Sequence, residues 1–205
     1  LGRPGAMEVR FALTGHDRWP QLELYNAVRG SEIRTFGWPI GVVLENREEY
    51  RPRARSDGVY AEVAISDKGF SDEKSYDYWA LRTNGAFYLL QSLFEDERAE
   101  NKIFFNTRIV RITEALLFGA RLYTALGLAP ARQAFVRFRH QGLMGRALGS
   151  SNPNRASFML RQASDDVVET DLSLTMEQMA ANVVDPVMRV CEPLFMIFGF
   201  HRFER

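Results

Sequence analysis

The sequence predicts an α+β fold, with a mainly antiparallel sheet of paired strands and two long amphipathic helices. Three observations lead to this prediction. Short segments of period-two alternation occur in adjacent pairs, an Asn-Gly dipeptide joins two aromatic strand-like runs, and two later stretches repeat apolar residues every three or four positions. With 205 residues, of which 46% are hydrophobic, the chain can bury a sizeable core.

The first six residues read as separate from this core. Residues 1–6 precede the first strand-like run and resemble a linker or an expression remnant, and the chain begins with Leu rather than Met. We therefore expect one α+β domain over residues 7–205, taken from a longer protein.

The first part of the chain favours strands. Residues 8–14 and 59–65 alternate apolar and polar side chains, whereas residues 22–28 fit either a short helix or an edge strand. Residues 33–44 read as extended segments broken at 37–39, because the proline there removes a ladder donor.

The run from Tyr76 to Phe94 predicts a β-hairpin. Its Asn84-Gly85 pair suits the two positive φ angles of a type I′ turn, and that turn sets Leu81 opposite Tyr88. The predicted hairpin is apolar on both faces, so it is central to a covered sheet or has one face against a partner.

The first helical stretch runs from about Thr107 to Gly127, a residue type that commonly ends helices. Arg108, Arg111 and Arg121 fall outside its apolar stripe, so we expect them on the solvent side.

Between the helical stretches, period-two alternation returns. Residues 133–140 form a predicted strand, and residues 145–149 return beside it after a glycine turn. Residues 157–162 and 167–174 read as a further antiparallel pair.

The second helical stretch begins at Thr175, where Gln178 completes the pattern of a capping box, and two prolines predict two pieces or a kink. Phe198 and Phe200 belong to an aromatic cluster at its end. Since an exposed cluster of that size invites association, we predict that both lie near a homodimer interface or near the missing part of the parent chain.

The charges are segregated although they sum to zero. Residues 103–161 carry nine arginines and one acid, whereas residues 59–102 carry nine acids and five bases, and residues 162–205 carry eight acids and three arginines. Either the basic segment contacts an anion or nucleic acid, or it pairs with the flanking acids, within a subunit or across an interface. We favour pairing, because the flanking charges have the compensating sign.

The candidate contacts to an anion or a nucleic acid are Arg132, Arg137, Arg139, Arg146, Arg155 and Arg161. If strands 133–140 and 145–149 pair, three of these arginines (Arg137, Arg139 and Arg146) share one exposed patch.

The sequence contains no recognisable active site. His16, His140 and His201 lack metal-ligating partners at the usual spacings, and no nucleophile elbow or phosphate-binding loop follows a predicted strand. The single cysteine, Cys191, excludes an intramolecular disulfide, and we expect it to be a buried thiol. We therefore expect no catalytic residues, no metal and no cofactor.

Without a secretory signal or an apolar run of membrane-spanning length, a cytoplasmic location is expected.

Three segments carry a family resemblance: residues 31–44, the hairpin region 76–96, and residues 103–114. As a set they resemble the C-terminal region of bacterial proteins whose N-terminal part is a Schlafen/AlbA-type domain of the DNA-binding or ATP-binding-like kind. The resemblance spans about residues 8–200. It implies a fragment that lacks the N-terminal domain, and it carries over no catalytic residues.

These observations predict a non-catalytic sensor, interaction or oligomerisation module of a bacterial regulatory or defence-type protein. We expect a homo-oligomer or a contact with the rest of the parent chain, and no membrane. Two alternatives stay open: a nucleic-acid or nucleotide-binding module that uses the arginines of 132–161, and a hydrolase whose residues converge only in three dimensions.

Overall fold

A seven-stranded sheet with helices packed against one face forms the body of the computed structural model. The structure describes residues 4–35, 37–66, 74–99, 101–152, 154 and 161–199. The sheet strands are β1 (Ala6–Leu13), β2 (Arg53–Arg55), β3 (Gly58–Ser66), β4 (Lys74–Arg82), β5 (Phe87–Ser92), β7 (Gln133–Gln141) and β9 (Val167–Thr175). Their spatial order is β2-β3-β4-β5-β1-β7-β9, and each neighbouring pair is antiparallel.

Within the described ranges, four α-helices, two short 3-10 helices (Glu48–Tyr50 and Phe94–Glu97) and a small second sheet complete the fold. The α-helices are α1 (Gln21–Gly30), α2 (Phe105–Ala125), α3 (Met176–Ala180) and α4 (Val184–Met196), and the two short strands β6 (Lys102–Phe104) and β8 (Ala147–Gly149) pair in parallel. The α+β prediction with a mainly antiparallel sheet is confirmed. Among the described residues, no helix has the length and apolarity needed to cross a membrane.

The sheet has one buried face and one open face because its strands alternate. Along β7, every second side chain from Ala134 to His140 is buried, while Phe135 and Arg137 point to the opposite face. The buried face joins the apolar sides of α1, α2, α3 and α4 in a single core that contains Trp79, Tyr123 and Phe138. The open face carries mainly tyrosine and charged side chains.

The hairpin forms at the predicted place but with another turn. The loop has three residues, since the Arg82 amide donates to the Ala86 carbonyl (2.9 Å) and the Gly85 amide donates to the Arg82 carbonyl (2.8 Å). Gly85 has a φ of 79°, whereas Asn84 does not have a positive φ. The turn is therefore a type I turn followed by a glycine bulge, and the prediction of a type I′ turn was wrong.

The longer loop also changes the register. Leu81 lies opposite Phe87 rather than Tyr88. A shift of one residue exchanges the faces of a strand, so Phe87 and Leu89 point into the core while Tyr88 points to the open face.

Helix α2 confirms the predicted position but corrects the predicted exposure of its arginines. Arg121 is exposed as expected, whereas the side chains of Arg108 and Arg111 are buried. Each of the buried arginines contacts a carboxylate, Glu95 for Arg108 and Glu114 for Arg111. A charged side chain can be buried when it is paired with an opposite charge. The apolar periodicity of the sequence cannot show such a pairing, so it predicted exposure for both arginines.

The second half of the chain pairs differently from the prediction. Strands 133–140 and 145–149 do not pair, because β7 lies between β1 and β9, and β8 pairs with β6 instead. The predicted strand 157–162 lies largely outside the described residues, and β9 pairs with β7.

The predictions for the C-terminal helix have mixed outcomes. The capping box between Thr175 and Gln178 is present, and the helix is divided into α3 and α4 as expected. Phe198 is only 1% exposed because its ring packs into the chain's own core. The interface near it stays a prediction. Phe200 lies outside the described residues.

The N-terminal boundary also needs correction. Gly5 is buried, its carbonyl accepts a hydrogen bond from the Leu93 amide (3.0 Å), and its amide donates to Asp96 (2.7 Å). Ala6 opens strand β1. The fold therefore includes Gly5 and Ala6, which the sequence had assigned to a linker.

Replacing Gly85 with alanine should destabilise the fold by about 2–3 kcal/mol. A Cβ atom there lies 2.6 Å from Leu13 Cδ1 and 2.8 Å from the Trp19 ring, in addition to the strain of its positive φ. Gly127 is the matched control, because its φ is +80° with no atom within 4 Å of an added Cβ. Urea denaturation should show a smaller loss for Gly127→Ala, about 1 kcal/mol. Equal losses would contradict the close packing of this turn.

Candidate functional site: a polar cavity at the start of helix α2

The candidate arginines do not form one free basic surface. Arg137 makes two hydrogen bonds with Asp171 (2.6 and 2.7 Å) on the open face of the sheet. On the same face, Arg139 lies between Glu8 (2.8 Å) and Glu169 (2.9 Å). These residues occupy facing positions on β1, β7 and β9, so the three strands carry a ladder of opposite charges.

The ion pairs of this ladder shift the pKa values of Arg137, Asp171 and Glu8. The hydrogen bond to Asp171 raises the pKa of Arg137, and the same bond lowers the pKa of Asp171. Burial alone would raise the pKa of Glu8, but hydrogen bonds from Arg139, Arg10 and Tyr88 bring that pKa below its usual value. Arg137, Asp171 and Glu8 therefore stay charged at neutral pH.

The other candidates are placed separately. Arg146 is buried and pairs with Asp96, so it does not share a patch with Arg137. Arg132 pairs with Asp17 (2.6 Å), and Arg161 donates to the Gly199 carbonyl. Arg155 lies outside the described residues. Pairing with the flanking acidic segments, the favoured explanation of the segregated charge, is thus confirmed for Arg137, Arg139 and Arg146. Arg132 pairs within the chain as well, but with Asp17, which lies outside those two segments.

A cavity of about 360 Å³ lies where strands β4 and β5 meet the first turns of α2. The sheet contributes Asp77 and Gln91, which face each other on adjacent strands and are both buried. Helix α2 contributes Arg108 and Arg111, and the loop before β2 contributes Trp38.

The pair Arg108–Glu95 fixes the helix side of this cavity. Arg108 donates two hydrogen bonds to the Glu95 carboxylate (3.0 and 2.7 Å), and the two side chains are only 3% and 0% exposed. Glu95 also accepts a hydrogen bond from the Phe104 amide (3.1 Å) directly before α2. A negative charge at this position complements the helix dipole. Burial lowers the pKa of Arg108, and the Glu95 charge opposes that shift.

Arg111 connects helix α2 to two other segments, the loop at Trp38 and strand β5. Its guanidinium donates to the Trp38 carbonyl, the Glu114 carboxylate and the Gln91 side-chain oxygen, each at 2.7 Å. Glu114 in turn accepts hydrogen bonds from Thr35. This network holds the loop around Trp38 against helix α2 and strand β5.

The turn after β5 supplies the exposed side of the cavity. Phe94 and Arg98 come from this turn, and the Arg98 guanidinium lies 4.2 Å from the centre of the Phe94 ring. Arg98 is exposed, and within the described part of the chain it forms no ion pair. Trp38, another lining residue, is 38% exposed. The solvent side of the cavity therefore carries the Arg98 cation beside the Phe94 ring, together with the partly exposed Trp38.

Neither His140 nor Cys191 lines the cavity. Burial and the nearby Arg108 charge lower the pKa of His140 to about 3, so its imidazole is neutral at pH 7. Burial raises the pKa of Cys191 to about 12, which makes its thiolate inaccessible under ordinary conditions. Over the described ranges, no group of three or more His, Cys, Asp or Glu side chains is arranged to hold a metal ion.

Sequence reasoning missed the cavity residues, although the chain contains signs of them. Asp77 and Gln91 are polar residues at inward positions of otherwise apolar strands, and this becomes visible only in the correct register. Arg108, Arg111 and Glu114 recur at helical spacing, which places them on one side of α2.

Comparison with known proteins places the chain in no family. No protein-family model, no curated protein and no solved structure matches it. The Schlafen/AlbA-type resemblance therefore stays a prediction.

Replacing Glu95 with glutamine should cost about 3–5 kcal/mol, because it leaves the Arg108 charge buried without its partner while Gln can still accept from the Phe104 amide. Asp171→Asn is the matched control, since it breaks a similar two-bond pair at the surface and should cost at most about 1 kcal/mol. Urea denaturation of both variants gives the comparison. If Glu95→Gln costs no more than Asp171→Asn, the buried pair does not stabilise this site.

Proposed function

We propose that this chain is a non-catalytic sensor module that binds a small molecule in the cavity at the start of α2. The observation that supports this proposal most is the cavity itself. Its volume of about 360 Å³ falls within the range of small-molecule sites. Its walls combine aromatic surface with buried polar groups that the protein already holds in place, as binding sites require.

The lining chemistry favours binding over bond-making. The described lining includes no histidine or cysteine that pairs with a nucleophile. Ser92 is held by its neighbour, since its hydroxyl accepts from the Tyr76 amide (2.8 Å) and donates to the Tyr76 carbonyl (3.2 Å). Arg108 and Arg111 direct their donors at protein groups rather than into a reaction site. The hydrolase alternative therefore has less support.

The number of chain segments that line the cavity also supports a sensor role. Strands β4 and β5, the turn at Phe94, helix α2 and the loop at Trp38 all contribute to its lining, and they come from separate parts of the chain. A ligand that contacts several of these segments stabilises their joint arrangement by mass action. A regulatory protein can use that change in stability as its output. The Schlafen/AlbA-type resemblance implies a bacterial regulatory or defence-type setting for such a module.

The nucleic-acid alternative has weaker support. Binding to a phosphate backbone depends on free cations, but Asp17, Asp171, Glu8 and Asp96 neutralise four of the candidate arginines. We therefore place the sensor proposal first.

A thermal-shift screen of small metabolites tests the proposed function. We expect at least one compound to raise the melting temperature of the wild type saturably, without being converted. Ser75→Trp should abolish the effect, because Ser75 lines the cavity on the inner side of β4. Ser173→Trp should not, because this exposed residue lies on the open face of β9. A screen without any stabilising compound, or stabilisation that survives Ser75→Trp, would contradict the proposal.

A further inference from the structure

We propose that the open face of the sheet binds a single strand of nucleic acid across strands β2, β3, β4, β5 and β1. This surface lies on the side of the sheet opposite to the helices, and it includes none of the arginines of 132–161. The proposal therefore goes beyond the small-molecule site. It rests on a row of five side chains, one from each of these neighbouring strands.

The row consists of three tyrosines between two arginines. Its order across the sheet is Arg55 (β2), Tyr60 (β3), Tyr78 (β4), Tyr88 (β5) and Arg10 (β1). The ring centres of successive tyrosines are 6.3 Å and 6.0 Å apart. At the two ends, the guanidinium of Arg55 lies 3.9 Å from the centre of the Tyr60 ring, and that of Arg10 lies 5.3 Å from the centre of the Tyr88 ring. The tyrosines are partly exposed and both arginines are exposed, so the whole row borders solvent.

This combination of groups matches the chemistry of a nucleic acid strand. Bases stack on aromatic rings and on guanidinium planes, whereas the phosphates between the bases bind cations. An apolar partner would use only the rings of the row. A strand of nucleic acid uses both the rings and the arginines, which makes it the partner that this surface fits best.

The spacing of the rings favours a single strand over a duplex. Successive bases of a DNA duplex lie about 3.4 Å apart along the axis and are stacked on each other. The tyrosine centres are 6.0 Å or more apart, so successive bases can contact successive rings only if they are unstacked and the strand is extended. A flexible single strand can adopt that shape, whereas a regular duplex cannot.

The cations at the β2 end of the row remain available for phosphate. Arg53 lies opposite Tyr60 in the strand pairing and adds a second arginine beside Arg55. Along the segments that the structure describes, neither arginine forms an ion pair. The acids near this surface have partners of their own, since Glu8 and Asp57 pair with other arginines and Glu62 accepts a hydrogen bond from a tyrosine hydroxyl (3.0 Å). This distinguishes the β2 end from the arginines of 132–161, four of which pair with acids.

Fluorescence anisotropy with labelled oligo(dT) and oligo(U) of about 12 nucleotides tests the proposal. We expect at least one of them to bind saturably, with a Kd of about 100 μM or lower. The difference between the two Kd values shows whether the strand is DNA or RNA, because only RNA carries the 2′-hydroxyl. The oligo(dT) strand annealed to its complement should bind at least about tenfold more weakly, because its bases are no longer free to stack on the tyrosines.

Two substitutions of Tyr78 separate stacking from other effects. Tyr78→Leu removes the central ring and should raise the Kd at least about fivefold. Tyr78→Phe keeps the ring and should leave the Kd within about twofold of the wild type, because stacking does not need the hydroxyl. Phe135→Leu is the matched control, since it removes a more exposed ring (53%) from β7 on the same face but outside the row, and it should not change the Kd.

Substitution of Arg55 tests the electrostatic part of the contact. Arg55→Gln should raise the Kd and lower the slope of log Kd against log salt concentration by about 0.7. Arg189→Gln removes the same charge from an exposed position on α4, on the helix side of the sheet, and should change neither quantity. Because Arg55 is exposed, this comparison stands even if Tyr78→Leu unfolds the protein.

Three results would overturn the proposal. The first is that neither oligonucleotide binds at protein concentrations up to about 100 μM. The second is that the duplex binds as tightly as the single strand. The third is that either Tyr78→Leu, in folded form, or Arg55→Gln leaves the Kd unchanged. None of these results bears on the sensor function, because the thermal-shift screen concerns the cavity between the sheet and α2.

Discussion

The ion pair between Arg108 and Glu95 lies inside the protein, where an isolated charge would be very costly. Because Glu95 also accepts from the Phe104 amide, one carboxylate fixes both the start of α2 and the guanidinium three residues into the helix. Arg111, one turn later, extends this order to Trp38 and Gln91. The cavity depends on these contacts, since they set the distance between helix, sheet and loop.

The fold was largely predictable because its main determinants are local. Alternation predicted β1, β3, β7 and β9, and the capping box predicted the start of α3. The hairpin shows the limit of this reasoning, because Asn-Gly fits a type I′ turn as well as a three-residue loop. The observed register buries Phe87 and Leu89 and leaves Tyr88 to donate to Glu8 on the open face. This register is favoured by packing against β1 and α2, and those elements lie outside the hairpin sequence.

The site was much less predictable than the fold. A buried arginine and a surface arginine look alike in sequence, and the difference between Arg108 and Arg137 arises from tertiary neighbours. Charge segregation correctly indicated compensating pairs, yet Asp171, Glu8 and Asp96 come from distant parts of the chain. Asp77 and Gln91 face each other only in the register that the actual turn imposes. Side chains that meet from such distant parts of the chain can be identified only from the three-dimensional structure.

The most direct test compares the exchange of two arginine side-chain N–H groups with solvent by nuclear magnetic resonance. Both Arg108 and Arg137 donate from Nε to a carboxylate, at 3.0 Å and 2.6 Å respectively, so their bonding is similar. The main difference between them is burial, with 3% exposure for the Arg108 side chain and 46% for that of Arg137. We predict that the Arg108 Nε–H exchanges at least tenfold more slowly, because only opening of the cavity region exposes it. Equal exchange rates would show that water reaches Arg108, and would contradict a cavity held in place by a buried ion pair.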